Sequence, residues 1–249
     1  MKFATTLLFL FILLRINVYS QALLFDFTLK EPASFGELQR VNLWATQYYI
    51  HQMKAGGGVP IVYENGEKTN VYVDTCDFCA AALEGTAQVT DEFGEVTLIN
   101  FASRGATSVV DCRKCVKYAK SKLAVEEWGK IRWEKAKGYG NGVQNYRLVP
   151  FRTIAVDPAI IPFGTVIYIP EVRGKLIMLP NGDTAEHDGY FFAGDKGGAI
   201  KQHHIDIFTG IFKANPFPSV MTSVETQGFD AYLVNDEKVV EMLTKIHLK

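Results

Sequence analysis

The stretch from Arg152 to Gly210 constrains the fold more than any other part of the chain. Short β-prone runs, among them Arg152–Val156, Thr165–Ile169, Lys175–Leu179 and Tyr190–Ala193, alternate there with Gly and Pro. A further run follows at Ala231–Val234. Many short strands with this punctuation argue for a closed barrel and against a parallel α/β sheet. Three aspartates sit inside the same stretch, in Val156-Asp157-Pro158, in Gly194-Asp195-Lys196-Gly197-Gly198 and in His204-Ile205-Asp206-Ile207. A carboxylate in apolar, β-rich sequence is expensive to bury, and burial is how a carboxyl group becomes an acid near neutral pH.

Taken singly, each aspartate reads as structural, because Asp before Pro or beside Gly-Gly commonly serves a turn. Their combination is less ordinary. Gly194 and Gly197-Gly198 let backbone approach closely around Asp195. Strand alternation puts Asp206 on the opposite side from Ile205 and Ile207.

Upstream the chain reads as mixed. Residues 21–40 look like a weakly ordered lead-in. Asn42–His51 is an aromatic-rich strand that contains Thr46, ended by a Gly56-Gly57-Gly58 loop. Pro60–Tyr63 and Val71–Val73 flank an Asn65-Gly66 hairpin turn. Asp77–Leu83 reads as a short helix, and Thr86–Thr90 with Val96–Phe101 as a second hairpin. Cys112–Trp133 has helical spacing and no proline, which predicts a helix.

The N-terminus reads as an export signal. Lys2 is followed by an apolar run from Leu7 to Leu14 and small or tolerated residues at Val18-Tyr19-Ser20. The run is too short to span a bilayer comfortably, so an N-terminal membrane anchor is the lesser alternative. Cleavage after Ser20 takes the formal charge from −1 to −3, and no basic footprint for nucleic acid is present. A periplasmic or secreted location follows, with no transmembrane segment after removal of the signal. The chain is expected to act as a monomer.

Export bears on the four cysteines, Cys76-x2-Cys79 and Cys112-x2-Cys115. An oxidising compartment favours disulfides, and a nested pairing of Cys79 with Cys112 and Cys76 with Cys115 would join two antiparallel segments. Two CxxC knuckles also suit a structural zinc. Either way the group staples an insertion and does no chemistry. No active-site metal or organic cofactor is expected.

The aspartate blocks resemble, in order and spacing, the three-aspartate (3D) domain shared by the MltA-like lytic transglycosylases. The matching segments are RTIAVDPAIIPFGTVIYIP, HDGYFFAGDKGGAIK and HHIDIFTG, with WATQYYIH upstream and FDAYLVN downstream. The resemblance implies a mainly β chain: a six-stranded double-psi β-barrel, as in RlpA-type proteins and expansins, carrying an α+β insertion. The expected division is a signal over 1–20, a lead-in and first barrel strand over 21–55, the insertion over 56–145 and the barrel core over 146–240.

For the site, the resemblance implies Asp206 as the sole catalytic acid and base. Asp195 and Asp157 would support it, and Thr46 would hydrogen-bond it. Lys201 matches the family's Ala-Ile-Lys lysine. Gln202 stands where the family often has Gly. Tyr48 offers either a sugar-stacking surface or core packing, and His204 either orients substrate or packs in the barrel. Glu84 is the insertion's best candidate for a site residue, the alternative being a solvated carboxylate at a helix end. The implied reaction cleaves the β-1,4 bond between N-acetylmuramic acid and N-acetylglucosamine in peptidoglycan and leaves 1,6-anhydro ends. The rival reading is a non-catalytic, glycan-binding or wall-loosening barrel of the expansin kind.

Overall fold

The computed structural model describes residues 24–249; the segment read as an export signal lies outside them. In chain order the strands are β1 Gln39–Tyr48, β2 His51–Val62, β3 Lys68–Val73, β4 Thr86–Thr90, β5 Val96–Arg104, β6 Ile131–Lys135 and β7 Thr153–Ala155. Then come β8 Val166–Tyr168, β9 Leu176–Met178, β10 Thr184–Glu186, β11 Tyr190–Asp195, β12 His204–Phe208 and β13 Phe229–Val234. Among the described residues three α-helices accompany them: α1 Thr75–Glu84, α2 Pro218–Met221 and α3 Glu237–His247.

Six strands close a barrel in the order β1-β12-β7-β11-β8-β13. The β1/β12 and β7/β11 pairs are parallel and the other four are antiparallel. This is the closed barrel that the short punctuated runs predict, with the six strands that the resemblance implies. Closure leaves no unpaired edge among these short strands. Alternate residues Leu43, Ala45, Ile154, Ile167, Phe191, Ala193, Ile205 and Ile207 fill the interior. Burying each Ile, Leu or Phe side chain is worth about 1.5–3 kcal/mol. Outside, α3 lays Leu243 and Ile246 on Tyr168, Tyr190 and Phe192. Among the described residues, no helix is long and apolar enough to cross a membrane.

Between β1 and β7 the chain builds a second layer, the sheet β3-β2-β4-β5-β6, with α1 packed on it. Its core holds Phe78, Trp133, Val73 and Ile99 around the four cysteines. These form the nested disulfides Cys76–Cys115 and Cys79–Cys112. All four sulfurs are therefore engaged with one another in disulfides. A third apolar cluster joins the layers, with Leu98 of β5 packed against Tyr48, Ile50, Ala155, Ile200 and Phe208.

Several local expectations change. Gly56–Gly58 is not a terminating loop but lies inside β2. There the register with β3 shifts, and both Ala55 and Val59 face Val73. A Cβ on Gly57 would sit 2.0 Å from the Val73 carbonyl, so only glycine lets the two backbones touch. The predicted helix over Cys112–Trp133 is absent. Cys112–Lys114 and Val125–Lys130 form 3-10 turns, and Ile131–Lys135 is β6, paired with β5. The disulfides bind this segment to α1, and Trp133 gains full burial as a strand residue; tertiary packing outweighs local helical spacing. Lys175–Leu179 contains a strand, but β9 pairs only with β10, outside the barrel.

The lead-in is also more ordered than its sequence suggests. Asp26 accepts at its carbonyl from Arg152 Nη2 at 2.5 Å, and the Phe27 ring lies 4.1 Å from the guanidinium carbon. Arg152 is fully buried and forms a forked pair with Asp188 at 2.6 and 2.7 Å.

Candidate active site

The site begins with one register. Parallel pairing of β1 with β12 sets Trp44 opposite His204, Thr46 opposite Asp206 and Tyr48 opposite Phe208. Because side chains alternate, these three pairs share one face while Ala45, Ile205 and Ile207 point into the barrel. The Trp44 and His204 rings stack at 3.5 Å, and Tyr48 and Phe208 lie 5.0 Å apart. Between them the Thr46 hydroxyl donates to Asp206 Oδ1 at 2.9 Å, and Thr46 Oγ1 lies 2.8 Å from His204 Nε2.

Asp195 reaches the same face by a bulge. On β11, Phe191 and Ala193 point into the core, and simple alternation would send Asp195 after them. The register with β7 shifts between Ala193 and Asp195, at Gly194, which reverses the side-chain parity. A Cβ on Gly194 would crowd Phe192 and Thr153 at 3.1 and 3.2 Å. Asp195 and Asp206 both pair with Ala155 on the strand between them. Their backbones are thus about 10 Å apart, two strand spacings, with only a methyl group in between. The Tyr48 hydroxyl donates to Asp195 Oδ2 at 3.0 Å.

The insertion supplies a third carboxylate. Glu84 ends α1, and Gly85 beyond it caps the helix in the left-handed conformation at φ 78°. Glu84 Oε2 accepts from the Tyr49 backbone N–H at 3.0 Å, which ties the helix end to the strand end. Lys213 Nζ sits 5.4 Å from the Tyr49 ring centre.

All three carboxyl groups are half-buried and all are hard to ionise. Burial pushes Asp206 up to about 8; Glu84 and Asp195 add to the rise, and the Thr46 hydrogen bond opposes it. Burial carries Glu84 to about 7 against the Tyr49 N–H, Lys117 and Lys213. Burial carries Asp195 to about 6, against its hydrogen bonds from Lys196 N–H and Tyr48. At neutral pH Asp206 therefore holds a proton while Asp195 is largely ionised.

Not every residue picked from the sequence joins this cluster. Asp157 makes no hydrogen bond to this cluster: its carboxylate accepts from Ala159 N–H at 3.1 Å and Gln202 N–H at 2.8 Å, and these bonds keep its pKa low. It thus steadies the loop before β12. Gln202 adopts φ 55°, the left-handed conformation that glycine takes more readily. Lys201 is exposed on that loop. The His204 ring is buried against Trp44 and faces Thr46. Tyr48 is buried and works through its hydroxyl; Tyr49 keeps the more accessible ring. Lys117 and Lys213, on separate loops, were not legible in advance. Nothing in the local sequence distinguishes them from other surface lysines.

Residues 152–215 match the 3D domain family. MltA of E. coli, solved with bound chitohexaose, is similar in fold with a TM-score of 0.52 at 17% identity, over 79% of this chain and 74% of that one. A membrane-bound lytic murein transglycosylase from Agrobacterium tumefaciens aligns with a TM-score of 0.47 at 16% identity, over 83% of this chain and 78% of that one. No curated protein matches the chain in sequence. The chain thus carries a 3D-domain match over residues 152–215 within a fold similar to that of MltA.

Proposed function

We propose that the chain is an exported lytic transglycosylase that cleaves the bond between N-acetylmuramic acid and N-acetylglucosamine in peptidoglycan. The observation that carries this reading is the half-buried Asp206, held by Thr46 on the face where barrel and insertion meet, where burial raises its pKa to about 8. Asp206 gives its proton to the glycosidic oxygen, and an oxocarbenium-like centre develops at muramyl C1. The ionised Asp206 then takes the proton of the C6 hydroxyl as that oxygen closes a 1,6-anhydro ring. The nucleophile belongs to the substrate, so one carboxylate completes the cycle without a metal or organic cofactor. Asp195 and Tyr48 keep the surroundings in shape; Asp195's charge also holds the Asp206 proton in place. The exposed part of Tyr49 offers aromatic surface for a sugar ring. Two disulfides suit a periplasmic or extracellular location. The solved E. coli relative binds chitohexaose, a β-1,4 glycan, which supports a glycan-strand substrate here.

The test is digestion of purified peptidoglycan with mass analysis of the products. Anhydro-muropeptides are expected from the native chain and are lost in Asp206→Asn. Tight binding to peptidoglycan without soluble products would favour the wall-loosening alternative.

A further inference from the structure

One half-buried ionisable group has no task in the single-acid cycle. Glu84 is the last residue of α1, where the negative end of the helix dipole disfavours a carboxylate and where no basic residue lies in the last turn. It also stands near another carboxyl group, since its charge acts on Asp206 as well as on the Tyr48 hydroxyl. Each of these placements costs stability. The one hydrogen bond it makes, from Tyr49 N–H to Oε2, would be made equally by a glutamine. Among the described residues, Oε1 has no hydrogen-bond partner. Lys117 and Lys213 approach from separate loops and favour its ionised form. The group is therefore held by one oxygen and leaves the other without a partner, and burial raises its pKa to about 7. Residues that break local stability rules in this way concentrate at functional positions.

We propose that Glu84 is a second catalytic carboxylate, the general base that deprotonates a water attacking muramyl C1, so that the chain also hydrolyses the glycan bond. The inference rests on Asp206 as the acid. Asp206 transfers its proton to the glycosidic oxygen, and the C1–O bond breaks with its electron pair leaving on that oxygen. Water bonds to C1 and yields its proton to Glu84. The product is a reducing-end muramic sugar instead of an anhydro one. Glu84 then loses its proton to solvent, and Asp206 regains one from it. The paired-carboxylate arrangement of ordinary glycosidases thereby operates beside the substrate-assisted one.

The test is digestion of peptidoglycan by the full chain in water enriched in oxygen-18, with both kinds of muramic end counted by mass spectrometry. The native chain should yield labelled reducing ends together with unlabelled anhydro ends. Glu84→Gln keeps the acceptor for Tyr49 N–H, and it should lower the ratio of reducing to anhydro ends about tenfold or more. Asp206→Asn should abolish both products. Anhydro ends alone from the native chain, or an unchanged ratio in Glu84→Gln, would overturn the role of Glu84 and leave that of Asp206 standing. No product of either kind from the native chain would overturn both. Labelling by the native chain needs no variant, so the proposal stays testable even if Glu84→Gln is unstable.

Discussion

At the scale of single residues, the site trades stability for chemistry, and pH exposes the trade. Asp206 titrates at about 8 in the folded chain, far above an ordinary aspartate. The folded state therefore keeps a proton that the unfolded chain releases, and stability falls as pH rises from about 4 to 8. Asp206→Asn has no charge to bury. It should be more stable than the native chain at pH 8, by about 1–2 kcal/mol, with the gain shrinking towards pH 5. Melting temperatures at the two pH values check this, and an equal gain at both would contradict the raised pKa. In the proposed reaction the same proton sets the rate, which should fall through an alkaline limb near pH 8. Thr46→Val removes the hydrogen bond that favours the ionised form, so it should move that limb upward while lowering the rate. His187 and His247 act with the opposite sign. Burial holds both at about 3, each with both ring nitrogens in hydrogen-bond contact. Their contribution is intact above pH 6.5 and is lost as pH falls towards 3.

At the scale of elements, the disulfides and the bulge determine which residues meet. The bridges close sequence separations of 39 and 33 residues, and each is worth about 2–4 kcal/mol on chain-entropy grounds. They hold α1 against the Cys112–Lys130 segment, and α1 carries Glu84. The barrel strands contain no cysteine. Reduction should therefore loosen the sheet from His51 to Lys135 before the barrel, and glycan cleavage should be lost with it. Amide exchange followed with and without reductant checks the order; simultaneous loss of protection in both layers would contradict it. Pairs of short strands were legible from Gly and Asn-Gly punctuation, because those residues choose turn geometry locally. The Cys112–Trp133 segment was not legible, because its strand exists only through pairing with β5. The parity reversal at Gly194 was equally hidden: a glycine in a strand marks a bulge only once the partner strand is known.

At the scale of the whole molecule, Arg152 and Asp188 lock the lead-in to the barrel. Both are buried, and Arg152 reaches Asp26 while Asp188 accepts from Leu29 N–H. Arg152→Ala leaves a buried carboxylate alone and should cost about 3–5 kcal/mol, seen as a lowered denaturation midpoint. The sequence alone determined the barrel class, through its short punctuated strands. It marked Asp206 and Asp195 as candidates, through carboxylates set in apolar surroundings, and the staple, through two pairs of cysteines. These are local signals, written in neighbouring residues. Tertiary structure decided the rest. Parallel registration of β1 with β12 put Thr46 against Asp206 across 160 residues. Closure of the insertion on the barrel brought Glu84 to Tyr49 and into the field of Asp206, and left Asp157 bonded to the backbone of a loop. The strength of a charge–charge effect depends on distance and burial, and neither quantity exists until the chain has closed on itself.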